Sequence, residues 1–81
     1  AEVLLVEDSP DNQYIIEAIL SREGATVNIA SDGIEGVEKA LSLKPDLVLM
    51  DIQMPKMDGY TALKHLRSLK FSKPIIALSA H

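Results

Sequence analysis

Three carboxylates in this chain stand where carboxylates can do chemistry. Glu7 and Asp8 follow the apolar run Val3-Leu4-Leu5-Val6 without a break, and Asp51 follows Leu47-Val48-Leu49-Met50 in the same way. An acid placed directly after a run of buried residues projects from the rim of a core. Three acids converging at such a rim repel one another, and the arrangement is poor unless a cation sits among them. All-oxygen ligands without His or Cys suit Mg²⁺, which takes one or two carboxylates and keeps several waters; Mn²⁺ is the alternative ion. A hard cation beside a carboxylate points to phosphoryl chemistry, in which the metal neutralises phosphoryl oxygens while an Asp attacks in line.

The elements that must position these acids can be read along the chain. Val3–Val6 and Leu47–Met50 are short, continuously apolar runs of the kind that form strands buried on both faces of a parallel sheet. Ile75-Ile76-Ala77-Leu78 reads the same way, whereas Val27 and Ile29 alternate with polar residues and suit a strand nearer an edge. Ser9-Pro10 is a helix start, since Ser suits the N-cap and Pro the first helical position. Ile15, Ile16, Ile19 and Leu20 then recur at helical spacing until Gly24. Ser31-Asp32-Gly33 is a turn before a second amphipathic stretch with Ile34, Val37 and Leu41, which Pro45 ends. Residues 52–59 form a loop holding Pro55 and Gly59, and Ala62, Leu63, Leu66 and Leu69 give a third helix its stripe.

The predicted order is β-α-β-α-β-α-β: four strands and three helices in an α/β, doubly wound parallel sheet. In such a sheet ligands bind beyond the carboxyl ends of the strands, where the winding reverses. Glu7, Asp8 and Asp51 converge there only if the first and third strands are neighbours, so a strand order 2-1-3-4 is expected.

Composition bounds the alternatives. The chain has 81 residues, 47% of them hydrophobic and 25% charged, which is room and material for one small domain over 1–81. The net charge of −4 argues against nucleic-acid binding. It is unevenly spread: residues 1–40 carry two basic and nine acidic side chains, and residues 41–81 carry six basic and three acidic ones. There is no cysteine, which fits a reducing, cytoplasmic setting, and no apolar run approaches the roughly 18 residues of a membrane helix.

The stretches Val3–Ser9, Leu49-Met50-Asp51-Ile52-Gln53-Met54-Pro55-Lys56-Met57-Asp58-Gly59 and Pro74–Ala80 together resemble receiver domains of response regulators and hybrid histidine kinases. Asn12-Gln13 and His81 are closer to the hybrid-kinase type. The resemblance implies a flavodoxin-like fold in which Asp51 is the phosphoacceptor, Asp8 binds the metal directly and Glu7 acts through metal-bound water. It further implies that Gln53 offers a backbone carbonyl to Mg²⁺, that the Ser79 hydroxyl follows the phosphoryl group, and that Ala80 leaves it room. Pro55 and Gly59 shape the loop after the nucleophile. Asp58 reads as a turn or helix-cap residue rather than a ligand.

The implied partner is a histidine kinase or histidine phosphotransfer protein, and the implied catalysis extends no further than the domain's own phosphorylation and dephosphorylation. Receivers also carry a fourth helix, a fifth strand ending in a Lys, and a fifth helix; this sequence supplies none of them. Lys56 lies in the wrong loop to replace that Lys. A truncated fragment is therefore expected, with Ile75–Leu78 an open edge through which copies could pair. Two other functions are consistent with the residues. A Mg²⁺-dependent Asp phosphohydrolase would want an acid at position 53, where Gln cannot move a proton. A binding or assembly module would keep the acids and lack phosphotransfer.

Overall fold

A computed structural model of the chain describes residues 1–52 and 58–78. The elements run β1 (Glu2–Val6), α1 (Pro10–Arg22), β2 (Thr26–Ala30), α2 (Gly33–Leu43), β3 (Leu47–Asp51), α3 (Gly59–Ser68) and β4 (Ile75–Leu78). All pairings are parallel and the sheet order is β2-β1-β3-β4, the doubly wound arrangement of flavodoxin-like receivers. β1 is thus flanked by β2 and β3, with Val6 opposite Ala30 on one side and Met50 on the other.

Local chemistry fixes where the helices begin. Ser9, Asp32 and Asp58 are the three N-caps, and their side-chain oxygens accept from the backbone N–H of Asn12, Glu35 and Thr61 respectively. Pro10 occupies the first turn of α1, and Asp58 is a cap, as its position before Gly59 implies. α1 ends with Gly24 at φ 94° and bonds from Gly24 N–H to Ser21 O and Ala25 N–H to Leu20 O, a Schellman ending. α3 ends in the same pattern, Lys70 N–H to Arg67 O and Phe71 N–H to Leu66 O, but with Lys70 at φ 65° in glycine's place.

One face of the sheet carries the core. Leu4 and Val6 of β1, Ala30 of β2, and Val48 and Met50 of β3 pack with Val37 and Ala40 of α2 and Ala62 and Leu66 of α3. Alternation along the strands sends Val3, Leu5, Leu47 and Leu49 to the other face, which α1 alone covers among the described residues.

That asymmetry corrects several expectations. Ile15 and Ile19 of α1 are 54% and 56% exposed, and no residue of α1 is fully buried, because the helix sits over β2 and leaves β3 and β4 open. Ile34 and Leu41 of α2 also face outward, and the buried stripe is carried by Gly36, Val37 and Ala40. The small residue there has a reason: a Cβ at Gly36 would lie 2.9 Å from the methyls of Val6, so α2 approaches β1 closely. β4 is not buried on both faces, since it lies at the sheet edge with Ile76 half exposed. No helix among the described residues is long and apolar enough to cross a membrane.

Candidate functional site

The parallel pairing of β1 with β3 places the residues that leave those strands side by side. Val6 stands opposite Met50, so the next step along each strand brings Glu7 beside Asp51. Glu7 N–H donates to Ala30 O at 2.9 Å, which extends the β1–β2 ladder by one rung and holds the acid at the rim. Asp8 follows before Ser9 opens α1. One carboxylate oxygen from each of Glu7, Asp8 and Asp51 lies within 4.8 Å of the others. Glu7 and Asp51 are buried and Asp8 is exposed, so Asp8 forms the solvent-facing side of the cluster.

The cluster is braced by the first turn of α1. Ser9 N–H donates to Glu7 Oε2 at 3.0 Å, and Gln13 Nε2 donates to the Glu7 carbonyl oxygen at 2.6 Å. Gln13 is a positioning residue that sequence reasoning missed. Its signal is its place four residues after the N-cap Ser9, which turns it back over the end of β1. On the other side, Ile52 N–H donates to Leu78 O at 3.3 Å and Gly59 N–H to Ile52 O at 3.3 Å. The chain leaving Asp51 is thereby fixed to both β4 and the start of α3.

Electrostatics makes this a site that favours a cation. At an effective dielectric of about 20, two unit charges about 4 Å apart repel by roughly 4 kcal/mol. The Glu7 carboxyl is held above its ordinary value of 4.5, first by burial, with the charges of Asp51 and Asp8 adding to it and the Ser9 N–H opposing. Oxygen donors, no nitrogen or sulfur, and an excess of negative charge fit a hard divalent ion. Among the residues singled out from sequence, the structure unites Glu7, Asp8 and Asp51. Gln53, Lys56, Ser79, Ala80 and His81 lie outside the described residues.

Comparison with known proteins agrees with the fold and the acid cluster. The family model "Response regulator receiver domain" matches residues 3–81. A Geobacter sulfurreducens protein-glutamate methylesterase/protein-glutamine glutaminase is 53% identical over 66 residues, covering 79% of this chain and 18% of that protein. The Bacillus subtilis alkaline phosphatase synthesis transcriptional regulatory protein PhoP is 39% identical over 79 residues, covering 98% of this chain and 33% of that protein. This chain thus spans a third or less of the curated relatives it matches first.

Among solved structures, the receiver domain of the sensor histidine kinase PA1611 from Pseudomonas aeruginosa superimposes with a TM-score of 0.94 at 44% identity. It covers 99% of this chain and 67% of that one, and a magnesium ion is coordinated in its active site cleft. The Vibrio cholerae chemotaxis protein CheY4 gives a TM-score of 0.92 at 31% identity, covering 100% of this chain and 69% of that one. With its strand order, its acids at the ends of β1 and β3 and a family match over nearly its whole length, the chain belongs to the response regulator receiver domain family of two-component systems.

Proposed function

We propose that this chain is a phosphoacceptor module in which Asp51 takes a phosphoryl group from a phosphohistidine on a histidine kinase or histidine phosphotransfer protein. The observation that carries this reading is the convergence of Glu7, Asp8 and Asp51 at the carboxyl ends of two adjacent parallel strands. Asp8 and Asp51 would hold a divalent cation directly, with Glu7 acting through its water and the Gln53 carbonyl completing the set. Magnesium is the proposed ion, as in the PA1611 receiver, with manganese as a substitute. When bound, it supplies positive charge that offsets the repulsion among the acids and the charge of the phosphoryl oxygens.

A carboxylate oxygen of Asp51 attacks phosphorus, the P–N bond breaks, and its electron pair returns to the imidazole nitrogen, which takes up a proton. The product is an acyl phosphate at Asp51. Burial keeps the nucleophile in a weakly screened environment, so a charge added there acts strongly on its neighbours. Ser79 and Ala80 are the proposed contacts of the phosphoryl oxygens, through which the new charge would bias a two-state surface. The proposed setting is the cytoplasm, without direct nucleic-acid contact, in keeping with the net charge of −4.

A histidine kinase loaded with labelled phosphate separates this reading from a hydrolase. Label should move from kinase to chain in at most stoichiometric amount, while a simple phosphate ester is not turned over. Catalytic release of phosphate from the ester, without labelled chain, would favour the hydrolase instead.

A further inference from the structure

The feet of α2 and α3 carry a second concavity. A cleft of about 260 Å³ is lined by Leu41, Leu69 and Phe71 together with Lys44, Lys70 and Lys73. Lys44 precedes β3 and Lys73 precedes β4, so the cleft sits at the amino ends of the strands. Asp51 is at the other end of the five-residue β3, about 15 Å of strand away.

Three observations mark the cleft as more than a solvated helix end. Leu41 and Leu69 leave 40% and 48% of their surface exposed, so its lining is an apolar surface open to solvent. No carboxylate among the described residues pairs with Lys44, Lys70 or Lys73, and the one ion pair shown on α2 joins Lys39 to Glu35. The wall is also pre-formed: the Arg67 guanidinium donates to the carbonyls of Phe71 and Lys73, and Phe71 N–H is tied to Leu66 O at 3.0 Å.

Favourable alignment with the helix dipole accounts for positive charge near these helix ends. It does not account for lysines in left-handed backbone, Lys44 at φ 51° and Lys70 at φ 65°, where a glycine such as Gly24 avoids a penalty of about 1 kcal/mol. Observed strain of this kind concentrates at functional surfaces.

We propose that this cleft is a docking site for an acidic segment of a partner protein, one that seats a bulky apolar side chain between its carboxylates. The volume fits one large side chain and falls short of the roughly 300 Å³ at which small-molecule sites begin. A long polyanion such as nucleic acid is disfavoured, because residues 1–40 of the same small domain carry a net charge of −7. An apolar centre ringed by lysines that have no carboxylate partner among the described residues is complementary to an apolar anchor flanked by acids. The proposal stands apart from the chemistry at Asp51.

Fluorescence anisotropy of the full chain with a labelled peptide tests it, the peptide carrying a Leu-Phe pair with two glutamates on each side. The expected result is saturable binding at low salt that weakens about tenfold when Lys70→Gln and Lys73→Gln are combined. Replacing the peptide's glutamates by glutamines, or its Leu-Phe pair by alanines, should cost at least as much. Lys70→Gly removes one charge while relieving the backbone, so its weaker binding cannot be put down to unfolding. Amide shifts on binding should be confined to residues 40–44 and 69–73. Absence of saturable binding, or equal affinity in the lysine variants, overturns the proposal. So does self-association of the unliganded chain that the same substitutions abolish, which would assign the cleft to a second copy.

Discussion

The backbone of Gly59 packs directly against the carbonyl group of Asp51, leaving no space for a side chain between them. A Cβ at Gly59 would overlap the Asp51 carbonyl oxygen and stand 2.6 Å from Ile52 Cα. Gly59 is the first residue of α3 and its backbone is helical. Its glycine is therefore required by close approach rather than by an unusual φ. The start of α3 and the end of β3 are locked together at the acid cluster.

Gly59→Ala should accordingly destabilise the fold by about 1–3 kcal/mol and weaken metal binding at the same time, because the backbone carrying Asp51 must move. Gly24→Ala is the control: its φ of 94° makes it costly, but nothing lies within 4 Å of the added methyl and the cluster is remote. Thermal unfolding and Mg²⁺ titration of both variants check this. Equal metal affinity in Gly59→Ala and the parent chain would contradict it.

The pH dependence of stability should report Glu7. Its carboxyl is held above 4.5 by burial and by the neighbouring acids, so the folded state binds this proton more tightly than the unfolded state does. The stability it contributes is fully present below 4.5 and is lost as pH rises through the raised folded value. Glu35 runs the other way, lowered by the Ser31 N–H and then by Lys39, and its contribution is lost as pH falls below its ordinary range. Glu7→Gln should raise the Tm of the metal-free chain at pH 7, and the gain should disappear below pH 4.5. Saturating Mg²⁺ should narrow the gap by stabilising the parent chain. A gain that does not change with pH would separate Glu7 from this linkage.

Lys70→Gly should stabilise the chain. α1 and α3 end in the same hydrogen-bonded motif, with Gly24 at the left-handed position of one and Lys70 at that of the other. Removing the side chain relieves about 1 kcal/mol, which in a domain of this size raises Tm by about 4–8 °C. Chemical denaturation measures the difference, and a loss of stability would show that Lys70 makes compensating contacts.

The sequence makes the strands and the site legible for one reason. Val3–Val6 and Leu47–Met50 are unbroken apolar runs, and the acid that ends each run marks the carboxyl edge of the sheet. The N-caps Ser9 and Asp58 are equally plain because their side chains act within three residues. What stays hidden depends on distant partners. The spacing of Ile15 and Ile19 shows that they share a helix face, but not that the face stays more than half exposed beside an open stretch of sheet. Gly59 acts on Asp51 through backbone atoms that no residue pattern reveals, and the place of Gln13 four residues after Ser9 aims it at β1 without showing that the Glu7 carbonyl is its acceptor. Lys44 and Lys70 carry no sign of left-handed backbone, since lysine is not a residue that seeks it.

The proposed function rests on a divalent cation held by these acids and on Asp51 as the phosphoryl acceptor. Incubation of the chain with acetyl phosphate and Mg²⁺, read by intact mass beside Asp51→Asn and Asp8→Asn, tests both together. The predicted result is a single phosphoryl adduct that requires Mg²⁺, is abolished by Asp51→Asn and is strongly reduced by Asp8→Asn. An adduct that survives in Asp51→Asn, or forms equally well with the metal chelated, would contradict it.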